Sequence, residues 1–132
     1  MKTKFFYPAV FHEAEEGGYW ISFPDFEHIL TQGETVEDAY KMAVDALGLE
    51  LTDNMYSNST YPEPSNPKSI VLNEFEQIII IEFDMLEYRK RTNNTAVKKT
   101  LSIPGWLNEE AMSRGINFSA VLQKALMSEL EL

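Results

Sequence analysis

Residues 97–132 contain one short strand and two short helices, and that inventory limits what the chain can fold into. "VKKTLSIP", 97 to 104, alternates with a period of two. Val97, Leu101 and Ile103 fall on one face, together with Lys99, and Lys98, Thr100 and Ser102 fall on the other, before Pro104 stops the strand. Leu107, Ala111 and Met112 give a first helix its inner face, with Pro104 at its first helical position and Gly115 at its C-terminal stop. Asn117 caps a second helix, in which Phe118, Val121, Leu122, Ala125, Leu126 and Leu130 recur at helical spacing. A segment of this size cannot bury a stable core alone, and a lone strand leaves its backbone groups unpaired. The simplest closure is a two-fold dimer in which each strand pairs antiparallel with its mate above four shared helices.

The preceding residues read differently. "KFFYPAVF", the turn "EEGG" at 15–18 and "YWISF" predict an antiparallel hairpin, with "HILTQ" at 28–32 as a third strand after a break at Pro24 and Asp25. Thr35 and Asp38 open a helix, and Val36, Ala39, Tyr40, Ala43, Ala46, Leu47 and Leu51 line its apolar face as far as Asn54. "YSNSTYPEPSNPK", 56–68, is a loop, and "SIVL" at 69–72 is read as a short strand extension. "QIIIIEF", 77–83, holds a continuous β-branched run at 78–81, which predicts a central strand buried on both faces. "YRKRTNNTA", 88–96, lacks core-forming residues and reads as a linker. The expected order is three strands, a helix and a strand, then the linker, then one strand and two helices.

Charge divides along the same line. Residues 1–87 carry 17 acidic and 4 basic side chains, a balance of −13, and residues 88–132 carry 4 and 7, a balance of +3. The first part repels nucleic acid and attracts a basic protein, and the second tolerates a phosphate backbone. A two-stranded ribbon presenting Lys98, Thr100 and Ser102 fits the major groove of DNA. Without cysteine, neither disulfides nor thiolate metal sites can form. Pro8 interrupts "MKTKFFYPAVF" and His12 follows it, so no signal peptide is read, and the "IIII" run at 78–81 is far too short to span a bilayer. A cytoplasmic location is the expectation.

Two resemblances sharpen this reading. "KTLSIPGWLNEEAMSRGINFSAVLQKAL" resembles a ribbon-helix-helix DNA-binding domain, carried by the strand ending at Pro104, the Arg114–Gly115 turn and the capped second helix. That resemblance implies base reading by Lys98, Thr100 and Ser102, and a phosphate clamp from the backbone amides of Phe118 and Ser119, where a helix N-terminus favours anions. Lys99 departs from the family pattern, which has an apolar residue on the inward face. "YPAVFHEAEEGGYWISFPDFEHILTQGETVEDAYKMAVDAL", 7–47, resembles the HicB antitoxin family through Phe23-Pro24-Asp25, Thr31-Gln32-Gly33 and Asp38-Ala39, with Phe26-Glu27-His28 in place of the usual Pro-Gly turn.

The fold class so implied is α+β. Residues 1–87 form a partial ribonuclease-H-like β-β-β-α-β domain, 88–96 a linker, and 97–132 a ribbon-helix-helix (β-α-α) dimerisation module. The implied function is to bind and block a HicA-type mRNA interferase, a small basic ribonuclease toxin, and to repress the chain's own operon by binding operator DNA as a homodimer. An exposed Trp20, with Asp25 and Glu27, is the candidate toxin contact. His12 and His28 lack the companions of a metal site, Asp25, Glu27, Asp84 and Glu87 have no spacing that shows them converging, and neither a cofactor nor enzymatic activity is expected. The competing readings are a stand-alone ribbon-helix-helix regulator with a protein- or ligand-sensing N-terminal domain, and a degenerate nuclease.

Overall fold

The computed structural model describes residues 3–56 and 60–132. The chain divides into two compact units, Met1–Asn94 and Thr95–Leu132. In the first unit, strands β1 (Lys4–Glu13), β2 (Tyr19–Phe23) and β3 (Phe26–Gly33) precede helix α1 (Val36–Tyr56). Strand β4 (Glu76–Asp84) and helix α2 (Met85–Thr92) follow. The strands form one antiparallel sheet in the order β3-β2-β1-β4.

Local chemistry sets the connections. The β1–β2 turn closes with Gly17 N–H donating to the Ala14 carbonyl and Ala14 N–H to that of Gly18, and both glycines take positive φ, 96° and 77°. Thr35 Oγ1 accepts the Asp38 N–H at 3.0 Å, and Asp38 Oδ2 accepts the Glu34 N–H at 3.0 Å, so α1 opens on a reciprocal cap. Ala39, Ala43, Leu47 and Leu51 recur every four residues and are fully buried. They pack on one face of the sheet, against Phe5, Tyr7, Ala9 and Phe11 of β1, Ile21 of β2, and Ile81 and Phe83 of β4. At Gly48 the helix approaches so closely that a Cβ would lie 2.6 Å from the Phe83 ring.

The interior strands are β2 and β1, which corrects the reading of "QIIIIEF" as a central strand. β4 lies at an edge, with Ile81 and Phe83 buried and Ile80 44% exposed. The continuous isoleucine run reflects strand propensity together with one buried face, because β1 rather than β4 is flanked on both sides. Pro8 is tolerated inside β1 for a specific reason. The Glu13–Phe75 and Met85–Thr3 backbone bonds set the odd-numbered β1 residues to bond the β4 side. The Pro8 nitrogen therefore faces the β2 side, where pairing begins only at Val10↔Ser22, and no ladder bond is lost.

Residues 88–92 belong to α2 and not to a linker. Asp84 Oδ1 accepts the N–H groups of Leu86 and Glu87 at 3.0 and 3.1 Å, Arg89, Lys90 and Arg91 suit the negative helix end, and Tyr88 packs on Phe83. "SIVL" forms no strand. A 3-10 turn at Pro67–Ser69 gives way to irregular chain, with Val71 94% exposed.

In the second unit, α3 (Gly105–Ser113) and α4 (Phe118–Glu129) are joined through Gly115, φ 65°, whose N–H donates to Met112 while Ile116 N–H reaches Ala111. Pro104 is the N-cap of α3, one position earlier than read from the sequence. Residues 93–104 carry no regular structure within the single chain, so the expected strand does not form there. A strand needs a neighbour, and this segment has none in its own unit.

Candidate functional site

The face of the sheet opposite α1 is assembled from alternate positions of all four strands. Phe6 of β1, Trp20 of β2, Leu30 of β3 and Ile80 of β4 are large, apolar and between 42% and 70% exposed there. Trp20 lies opposite His12 in the ladder, and the two rings stack with centroids 3.4 Å apart and planes within 2°. The imidazole is held at both nitrogens. Nδ1 meets the Glu76 carboxylate at 2.6 Å, and Nε2 lies 2.9 Å from Ser22 Oγ.

Trp20 borders two hollows. One, about 1010 Å³, lies between the β1–β2 turn and the start of α1 and is lined by Glu13, Glu15, Glu16, Glu34 and Asp38, together with Met42. Five carboxylates line it, and among the described residues no lysine or arginine does. The other, about 590 Å³, is lined by Trp20, Leu30, Thr31 and Gln32. Glycines 17 and 18 and the hairpin register bring the turn's acidic groups to the rim of the hollow that Trp20 borders. The "EAEEGG" composition hints at an acidic tip, whereas His12 and Glu76 are 64 positions apart and no local signal joins them.

Of the residues anticipated for this unit, Trp20 is exposed as expected. Asp25 and Glu27 lie at the other end of the β2–β3 hairpin, since Trp20 pairs with Gln32 while Phe23 pairs with Phe26 across the turn. Both Asp25 oxygens accept from Ser65, from its N–H at 3.0 Å and from its hydroxyl, and this ties the proline-rich loop to the hairpin. Tyr7 donates to the Pro62 carbonyl at 2.7 Å in the same region, and burial, with Asp25 and Glu63 nearby, pushes its hydroxyl up to about 12. Glu27 is exposed on β3, and Asp84 is occupied as the α2 cap. Among the described residues no three His, Cys, Asp or Glu side chains cluster closely enough to hold a metal ion, and no helix is long and apolar enough to cross a membrane.

The second unit presents a different surface. None of Thr95–Leu132 is buried in the chain. Val97 is 80% exposed, Leu101 61%, Leu126 51% and Leu130 61%. Lys98, Thr100 and Ser102 are exposed alongside them. At the start of α4, Asn117 Oδ1 accepts the Ala120 N–H at 3.0 Å, so the preceding N–H groups of Phe118 and Ser119 remain open at the helix end.

Residues 6–73, half of the chain, match the family described as the HicB_like antitoxin of bacterial toxin-antitoxin system. The chain belongs to this HicB-like family. A curated relative, "Antitoxin HicB 1" of Photorhabdus laumondii, is 45% identical over 58 residues, which is 44% of this chain and 37% of that protein. The match therefore spans well under half of the relative's length. A chain of a toxin-antitoxin complex from Streptococcus pneumoniae superposes with a TM-score of 0.60 at 28% identity, over 96% of this chain and 99% of that one. A chain of a HicA3 and HicB3 toxin-antitoxin complex, at 23% identity and a TM-score of 0.50, covers 61% of this chain and 99% of its own, and shares the fold. The family match contains β1 from Phe6 onward, β2, β3 and α1, hence Trp20, Asp25, Glu27 and the acidic hollow.

Proposed function

We propose that this chain is a non-enzymatic antitoxin that blocks a small basic HicA-type ribonuclease toxin with its first unit. With its second unit, as a homodimer, it binds operator DNA and represses its own operon. Family membership over residues 6–73 carries the reading, because the acidic hollow and the exposed indole fall inside the matched segment. Carboxylates that no lysine or arginine pairs among the described residues complement an RNA-binding face and speed its capture. In this reading the first unit is a partial ribonuclease-H-like fold that binds protein, with no cofactor and no cleavage chemistry.

The second unit is read as a ribbon-helix-helix module. Its exposed apolar side chains favour association, since burying each half-exposed one stabilises by about 1 kcal/mol. Residues 97–103 of two chains would pair antiparallel, with Val97, Leu101 and Ile103 facing the helices. Lys98, Thr100 and Ser102 would then enter the major groove, while the Phe118 and Ser119 amides hold a phosphate. Lys99 would run its alkyl stem along the inward face and carry its charge to the edge.

Co-expression with a small basic HicA-type toxin tests the first half. A stable complex with suppressed RNA cleavage is expected, and absence of any complex would refute the antitoxin assignment. Gel shifts with the operon's own promoter test the second half. Binding that does not change when Lys98 or Thr100 is replaced would discard the ribbon assignment.

A further inference from the structure

We propose that Trp20 is a pre-set anchor for a cationic segment of the toxin, an arginine or lysine that enters the acidic hollow beside it, and that His12 is the positioning residue that sets it. This deepens the antitoxin reading and rests on it. Exposed tryptophans ordinarily sample several rotamers, and freezing one on binding costs free energy. Here the indole lies flat on an imidazole 3.4 Å away, and that imidazole is fixed at both nitrogens by Glu76 and Ser22. The ring is ordered before a partner arrives, yet it remains 42% exposed and borders both hollows.

The Glu76–His12–Ser22 chain has the connectivity of an acid–base–hydroxyl relay, but its setting assigns it another task. Ser22 lies in β2 between two partner strands, paired with Val10 and Leu30. The surrounding backbone N–H groups are committed to the ladder, so no pair of donors can hold an oxyanion. What the chain does fix is the plane of the His12 ring, and through it the plane of Trp20.

Charge selects the occupant. Glu13, Glu15, Glu16, Glu34 and Asp38 line the larger hollow, with no lysine or arginine among them. Nucleic acid is repelled, and so is a second copy of this unit, which carries 17 acidic and 7 basic side chains over Met1–Asn94, a balance of −10. A guanidinium or ammonium group over the indole gains a cation–π contact and the field of the carboxylates together.

The test uses the full chain with Trp106→Phe, which leaves Trp20 as the only tryptophan, and a purified small basic HicA-type toxin as titrant. Trp20→Ala should weaken binding by at least about 30-fold, the loss expected of an aromatic hot spot. Glu15→Lys with Glu16→Lys, on the exposed turn, should slow association about tenfold at low salt and flatten its salt dependence. His12→Ala should lower the fluorescence anisotropy of Trp20 and weaken binding, and His12→Phe, which keeps a stacked ring, should restore both. If the parent chain binds while Trp20→Ala and the double charge reversal bind equally well, this inference is wrong and the antitoxin reading stands. Equal anisotropy in parent and His12→Ala removes the positioning role. If the parent chain itself fails to bind, the antitoxin reading falls with it.

Discussion

Leu126→Ala separates a self-sufficient second unit from one completed by a second copy. Leu126 sits on α4 and is 51% exposed in the chain. In a unit that folds alone, truncating a half-exposed leucine costs about 1 kcal/mol or less, because half of its surface already meets water. In a dimer the same side chain lies in the shared core, where Leu→Ala costs about 2–5 kcal/mol. Two-fold symmetry doubles the loss to at least about 4 kcal/mol per dimer, so the dissociation constant should rise at least about a thousandfold. Sedimentation equilibrium measures the constant directly. Thermal melts at about 1 and 100 µM protein add a second reading, since the Tm of an obligate dimer rises with concentration. A Tm independent of concentration, with Leu126→Ala costing under about 1 kcal/mol, would refute the dimer-core argument.

Other perturbations probe the first unit and the ribbon. Gly48→Ala, which in an ordinary helix interior gains about 1 kcal/mol, should instead destabilise by about 1–2 kcal/mol in urea unfolding, because the new methyl meets the buried Phe83 ring at 2.6 Å. A more stable variant would mean that α1 can lift from β4 without penalty. Tyr7 holds its proton up to about 12 when folded against about 10 when unfolded, so its contribution is complete below pH 10 and is lost as pH rises towards 12. Unfolding free energies at pH 9 and 11 should therefore fall less steeply in Tyr7→Phe than in the parent, and parallel slopes would contradict the assignment. Lys98→Ala should weaken operator binding and reduce the salt slope by about 0.9 if it neutralises one phosphate. Thr100→Ala should change sequence preference more than salt dependence, and a uniform loss over all sequences would place Thr100 on the backbone.

The two surfaces differ in how far local pattern reveals them. Lys98, Thr100 and Ser102 are a period-two set, and the open amides of Phe118 and Ser119 follow directly from the Asn117 cap, so those positions are legible from neighbouring residues. Trp20 is legible as an aromatic on an alternating strand. Its stack on His12 is less so, since it requires the β1–β2 register, and the clamp through Glu76 requires β4 as well. Asp25 looks like one more surface acid in sequence, yet Ser65, forty positions later, occupies both of its oxygens.

Interactions within a few residues were decided by the sequence alone. Two glycines at 17 and 18 permit the tight turn, Thr35 with Asp38 starts α1, Asn117 and Gly115 bound the last helices, and a lone alternating segment of a short module cannot close on itself. Each of these depends on backbone conformation or on a partner three or four positions away. Tertiary structure decided which strand became central. "QIIIIEF" satisfies an edge as readily as a centre, and only the insertion of β1 between β2 and β4 determines which strand is paired along both edges. It also turned 88–92 into helix, because the Asp84 cap and the Phe83 ring under Tyr88 supply what the polar composition lacks. Propensity and patterning act over one turn or one strand, whereas the burial that chooses among their outcomes belongs to residues far apart in the chain.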